Sequence, residues 1–174
     1  MRKPFVLIAL FLVLSGCASN KAHILYRNAY DLYQRNELEK SETVISQIIF
    51  RDNKFVDAYI LRSAINQSNE KTDLAIGDLQ IAISIDKGNY LAHYNLGNIY
   101  FRQEKYREAL EQFTASLLAK KDYSNAYLNR ANTYMMLRDH EKALDDYRAF
   151  SGLSRDQDES IKKLIAALEK KTAS

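Results

Sequence analysis

The sequence predicts an all-α solenoid: four tandem helix-turn-helix units closed by a C-terminal helix. Three observations predict it. Residues 22–157 divide without insertion into four blocks of 34 (22–55, 56–89, 90–123 and 124–157), the kind of self-similarity that marks repeat arrays. Within a block the apolar residues recur at helical intervals of three and four, as in Leu96 and Tyr100, then Leu110, Phe113 and Leu117. Helix breakers are also scarce, since Pro4 is the only proline and the whole chain has five glycines.

The first element is a leader. Arg2 and Lys3 precede the apolar run Phe5–Leu14, and a basic start followed by a short apolar stretch has signal-peptide geometry. A spanning helix needs about 20 apolar residues, so this run is too short for a permanent anchor. Leu14-Ser15-Gly16-Cys17 then resembles the bacterial lipobox. The resemblance implies that residues 1–16 are removed and that Cys17 is acylated, leaving 17–21 as a short tether. Two or more acyl chains hold a protein stably, at about 0.8 kcal/mol per buried methylene. By the enterobacterial sorting rule that the resemblance brings with it, Ala18 favours the periplasmic side of the outer membrane. Five extended residues reach about 17 Å, so the first hairpin is expected close to the lipid.

The four blocks follow. Small residues recur at one place (Ala29, Ser63, Gly97, Ala131) and again at a second (Ser41, Ala75, Ala109, Ala143). Ile45, Leu79, Phe113 and Tyr147 follow four residues after the second as the bulky partner, and Leu25, Tyr59, His93 and Tyr127 hold a large place near each block's start. The run Tyr90–Phe113 resembles the tetratricopeptide repeat (TPR) consensus closely. Blocks three and four carry that resemblance best. Block one departs with Asn28 in place of the usual leucine, and block two with Asn66 in place of an aromatic. The inter-repeat proline is replaced by Asn53, Lys87, Lys121 and Arg155, which blurs the helix ends. The break at Gln103-Glu104-Lys105 marks the turn within a hairpin. The resemblance implies a right-handed superhelix in which each hairpin buries its apolar face only against its neighbours.

Beyond the repeats, residues 158–174 place Ile161, Leu164, Ile165 and Leu168 on one helical face with Lys162, Lys163, Glu169 and Lys170 outside. This reads as a helix capping the last repeat, with Phe150 beneath it.

In TPR proteins the first helix of each hairpin lines a concave groove. Place by place, that resemblance assigns Tyr26, Tyr30 and Tyr33 in block one and Ile60 in block two. It assigns Tyr94, Asn95, Asn98 and Phe101 in block three, and Leu128, Asn129 and Asn132 in block four. Asn95 and Asn129 stand one period apart, as do Asn98 and Asn132. A primary amide both donates and accepts, so stacked asparagines suit the backbone of an extended chain, while aromatic side chains supply the larger anchoring energy. The basic residues with which chaperone-type TPR domains clamp a terminal carboxylate are mostly missing, Arg27 being the one on these faces. Asparagines that merely cap or hydrate the helices are the competing reading.

Other chemistry finds little support. The 25 basic and 22 acidic residues give +3, and losing Arg2 and Lys3 would lower this to about +1, too little to drive nucleic-acid binding by counterion release. The one cysteine excludes an intramolecular disulfide. His23, His93 and His140 form no metal-ligand spacing, and His93 and His140 read as packed, satisfied histidines. No phosphate loop or nucleophile elbow occurs. Asp145-Asp146 reads as a solvated pair on an exposed face. No cofactor and no catalysis are expected.

The whole resembles the bacterial TPR lipoproteins. That resemblance implies an interaction scaffold in cell-envelope assembly, binding a protein or an extended peptide and held to the membrane by lipid. Pilotins of type IV pilus secretins are the first member of that family to consider, and adaptors for peptidoglycan hydrolases the second. A structural lipoprotein that assembles with further copies of itself is the alternative class.

Overall fold

A computed structural model describes residues 21–154 and 159–172. The segments read as signal peptide and tether, with Cys17, therefore lie outside the described residues apart from Lys21, as does most of the polar connector before the last helix. Every regular element among the described residues is an α-helix. In chain order these are α1 (21–34), α2 (Leu38–Arg51), α3 (Val56–Ser68), α4 (Thr72–Ile85), α5 (Tyr90–Arg102), α6 (Tyr106–Ala119), α7 (Ser124–Met136), α8 (His140–Leu153) and α9 (Glu159–Thr172). Starts recur at the period of 34, at Val56, Tyr90 and Ser124 for one helix of the hairpin and at Leu38, Thr72, Tyr106 and His140 for the other. This is the all-α, TPR-like helical class that the sequence predicts.

The chain divides into two compact units, Met1–Asp78 and Leu79–Ser174, and α4 contributes to each. In the first unit α1, α2 and α3 close on Ala29, Ile45, Ile48, Ala58, Leu61 and Ile65. Alanine and serine at the crossing points let the helices approach. The Ser41 hydroxyl, fully buried, donates to the Ala29 carbonyl across the hairpin at 2.7 Å, so its burial leaves no unpaired polar group.

In the second unit α5 packs on α6, α6 on α7, α7 on α8 and α8 on α9. Gly97 is required by its neighbour: a Cβ there would stand 2.7 Å from the Phe113 ring. The pairing of smallest residue with largest ring keeps α5 and α6 close. Helix α9 lays Leu168, with Ile161, Leu164 and Ile165, against Ala143, Leu144 and Tyr147 of α8 and Ala131 of α7. Phe150, expected beneath this helix, is half-buried, and the buried α8 residues of the cluster are Ala143, Leu144 and Tyr147.

Each intra-hairpin turn is made the same way. Asn36, Glu70, Glu104 and Arg138, one period apart, all adopt φ near +60°. The next residue's amide then donates back into the preceding helix, as Lys105 does to the Tyr100 carbonyl at 2.9 Å and Asp139 to that of Tyr134 at 3.0 Å. Glycine is the usual occupant of a left-handed position closing a helix. Here three of the four are long side chains.

Candidate peptide-binding face

The assigned residues fall in both units. In the first, Tyr26 on α1 is half-buried, with its ring 5.7 Å from that of Phe55, and His23 lies edge-on to the same ring at 5.1 Å. Burial, with the charge of Asp57 and the neighbouring Tyr30, pushes the Tyr26 phenol up to about 12. Tyr33 packs against the core from its edge, Tyr30 is 45 % exposed, and Ile60 on α3 is half-buried. Tyr26 and Tyr33 thus support their own hairpin as well as facing outward. Arg27 is exposed.

The second unit brings the assigned residues of α5 and α7 together. The Asn129 side-chain amide donates to the Asn98 Oδ1 at 2.7 Å and to the Tyr94 hydroxyl at 3.1 Å. Tyr94 and Asn98 are one turn apart on α5, so a single asparagine of α7 ties both. Asn132 accepts from the buried Tyr147 hydroxyl at 2.6 Å. Three of the four asparagines therefore have partners inside the protein. Their remaining capacity is the Asn98 Nδ2, the Asn129 Oδ1 and the Asn132 Nδ2. Asn95, half-buried, makes no side-chain hydrogen bond among the described residues. These groups are preorganised and retain donors and acceptors for another chain.

Tyr94 is also held by aromatic neighbours. Its ring lies 5.0 Å from Tyr123, nearly perpendicular, and 6.0 Å from Phe113; Tyr123 in turn meets Tyr90 at 4.9 Å. The Lys120 ammonium sits 4.6 Å from the Tyr90 ring centroid, within cation–π range. Burial raises the Tyr123 phenol above its ordinary value. Tyr123 and Lys120 escaped the sequence-level assignment because they lie in the loop between hairpins. The available signal was Phe55, two periods before Tyr123 and packed in the same way on Tyr26. Phe101 packs edge-on against Tyr106 at 5.6 Å, and Leu128 lines the cluster beneath α9.

Two ion pairs also stand outside the sequence reading. Arg62 meets Asp78 through Nε and Nη2, with Nη2 2.5 Å from Oδ1 and the Asn66 amide donating to Oδ2 at 3.0 Å. Arg130 meets Asp146 with its Nε at 2.7 Å and Nη2 at 2.8 Å, and its Nη1 donates to the Thr114 hydroxyl. Each carboxylate raises its arginine's pKa, chiefly through the hydrogen bond. The expectation that Asp145-Asp146 is a solvated pair is thus corrected for Asp146, which is 5 % exposed. Its side chain points along the hairpin toward α7, one helical step from the exposed Asp145. Asn66, which departs from the repeat pattern, is explained by the same network.

The histidines are not gathered. His93 Nε2 donates to the Lys87 carbonyl at 3.1 Å, and its Nδ1 lies 2.8 Å from the Gln112 amide oxygen, a structural role. His140 differs from the satisfied histidine expected, since its buried Nδ1 has no hydrogen-bond partner among the described residues. Among these residues no group of three histidines, cysteines or carboxylates could hold a metal ion, and no helix is long and apolar enough to cross a membrane.

Comparison with known proteins agrees with the geometry. The tetratricopeptide repeat family model matches residues 94–158. A DnaJ homolog subfamily C member 7 homolog of Schizosaccharomyces pombe is 25% identical over 138 residues, 70% of this chain; the chain spans only 29% of that relative's length. Among solved structures, that of Pseudomonas aeruginosa PilF superposes with a TM-score of 0.80 at 18% identity, covering 90% of this chain and 71% of that one. A crystal structure of MamA gives a TM-score of 0.74 at 14% identity, covering 89% and 84%. The first TPR domain of Spaghetti (RPAP3), bound to the HSP90 peptide SRMEEVD, gives 0.63 at 20% identity, covering 71% and 97%. Residues 94–158 therefore match the tetratricopeptide repeat family, and the described chain has the fold of TPR proteins.

Proposed function

We propose that this chain is a lipid-anchored scaffold of the cell envelope that grips an extended segment of a partner protein on the α5/α7 face. The observation that carries the reading is the Tyr94–Asn98–Asn129 network, which fixes three side chains while leaving amide groups, and all of Asn95, open to another backbone. TPR proteins bind protein or peptide partners, as the RPAP3 domain with its HSP90 peptide does. The assigned residues of this face carry no charge, so they suit an uncharged extended segment better than an acidic chain end, with Lys120 held at the edge on the Tyr90 ring. Each backbone bond would contribute about 0.5–1.5 kcal/mol net, and specificity would come from the flanking side chains.

The anchor rests on Leu14-Ser15-Gly16-Cys17, and the periplasmic side of the outer membrane on Ala18. A type IV pilus secretin is the first partner to test, because the bacterial TPR lipoproteins that the sequence resembles include pilotins. A peptidoglycan hydrolase is the second. The scaffold is read as acting by binding, a reading supported by the tetratricopeptide repeat match over residues 94–158.

The test is a photo-crosslinking amino acid at Asn95 of the acylated protein in its own cells. The expected result is a discrete crosslinked partner that disappears when Asn98 and Asn132 are both changed to alanine, with helicity unchanged. Crosslinking that persists in that variant at full yield would overturn the groove. Secretin multimers that form normally without this protein would remove the pilus assignment alone.

A further inference from the structure

Resting on the lipid-anchor reading, we infer that the open end of the first hairpin is a membrane-contact surface. Phe50 and Ile24 enter the lipid boundary there, and Lys21, Arg51 and Lys54 meet anionic headgroups. Phe50, in the last turn of α2, is 91 % exposed, and Ile24, in the first turn of α1, is 63 % exposed. The two lie at one end of the molecule's first unit. The Ser41–Ala29 hydrogen bond sets α1 and α2 antiparallel, so the end of α2 stands beside the start of α1. The His23–Phe55 ring contact brings the loop after α2 to the same end.

The repeat itself shows that Ile24 is unusual. The places equivalent to Ile24 in the later blocks are Ala58, Ala92 and Ala126, all fully buried. Block one alone has a large apolar residue there, and it is uncovered. The places equivalent to Phe50 are Ser84, Leu118 and Gly152; Leu118 is also exposed, at 76 %, so Phe50 stands out by its aromatic ring and its place beside Ile24 and the basic residues rather than by exposure alone. Around the two apolar residues, Lys21, Arg51 and Lys54 are all exposed. The acid between them, Asp52, is engaged locally, accepting from the Lys54 backbone amide at 3.0 Å. Asp57, in the first turn of α3 and exposed, lies beside Tyr26, leaving the three basic residues in excess over the two acids.

The occupant follows from where the anchor is. Only Ala18, Ser19 and Asn20 separate Cys17 from α1, and residues 17–21 reach at most about 17 Å when fully extended. Acyl chains on Cys17 would keep this end close to the bilayer surface, where interfacial apolar side chains insert to a depth of about 5–10 Å. An aromatic flanked by basic residues has the chemistry for that layer, and juxtamembrane lysines and arginines are attracted to anionic lipid.

The chain has no tryptophan, which makes the test clean. Phe50→Trp and Leu74→Trp are made singly in the acylated full chain and reconstituted into phosphatidylglycerol-containing vesicles with brominated acyl chains. Leu74 is the comparison because it is 59 % exposed in the same unit but lies in the first turn of α4, at the intra-hairpin-turn end. The expected result is emission from position 50 that is blue-shifted and quenched severalfold more strongly than that from position 74. Equal quenching at the two positions, with Cys17 shown by mass spectrometry to be acylated, would overturn the membrane surface and leave the anchor standing. An unacylated Cys17 would overturn both. A blue shift at position 50 that appears in detergent and grows with protein concentration would assign the surface to a second copy instead.

Discussion

At the scale of single residues, the fold is governed by how small side chains face large ones. Gly97 is the sharpest case, since a methyl group there would meet the Phe113 ring at 2.7 Å. Alanine would gain helix propensity but force the ring off its rotamer, and overpacking of this kind costs about 1–3 kcal/mol. Gly97→Ala should therefore lower the urea midpoint, although alanine occupies the same place in blocks one and four. Tyr26 supplies a pH signature. Its folded-state pKa of about 12 stands above the ordinary 10.0, so the proton is held more tightly in the folded chain. Below pH 10 the phenol is neutral in both states and stability does not depend on it. Between pH 10 and about 12 the unfolded chain ionises first, which favours unfolding. Tyr26→Phe should retain more of its stability across that window than the parent chain, as urea melts at a series of alkaline pH values would show.

At the scale of elements, the turns and the last helix are decisive. Left-handed backbone at Glu70, Glu104 and Arg138 costs roughly 1–2 kcal/mol per residue relative to glycine, and glycine's greater unfolded entropy returns about half of that. Glycine at each of these positions should raise the melting temperature, with gains that add across separate turns. At Asn36, a residue type that tolerates this region, the gain should be smaller. Helix α9 depends on Leu168, which is 4 % exposed against α7 and α8. Leu168→Ala should cost about 2–5 kcal/mol and speed amide exchange in α9 and on the face of α8 that it covers.

At the scale of the whole molecule, the 34-residue period conceals a coarser one. Blocks two and four each bury an arginine–aspartate pair at the same places, Arg62–Asp78 and Arg130–Asp146. Blocks one and three instead place an aromatic residue at the end of the block against a tyrosine of its first helix, Tyr26 with Phe55 and Tyr94 with Tyr123. Where block four has Arg130 and Asp146, block three has Leu96 and Gln112. A buried pair broken on one side leaves an uncompensated charge at a cost of about 3–5 kcal/mol, whereas replacing both members is often neutral. Arg130→Leu should therefore be strongly destabilising alone. Adding Asp146→Gln, which transplants block three's residues, should recover most of the loss in chemical denaturation.

The sequence by itself determined the helical class and the 34-residue recurrence at which the helices start. A fixed period and helical spacing are local properties that any stacked hairpin must express. It also carries Leu14-Ser15-Gly16-Cys17, which resembles a lipobox and lies before the first described helix. Only the tertiary structure decided how the polar groups pair. Asparagines one period apart look free when counted along the chain, but Asn129 is spent in part on Asn98 and Tyr94. Asp146 looks solvated beside Asp145, yet it faces Arg130 from a neighbouring helix. The physical reason is that burial and hydrogen-bond partners are set by the rotation of one helix against another. Two adjacent residues on a helix differ by about 100° of that rotation, and their one-letter codes do not reveal which of them turns inward.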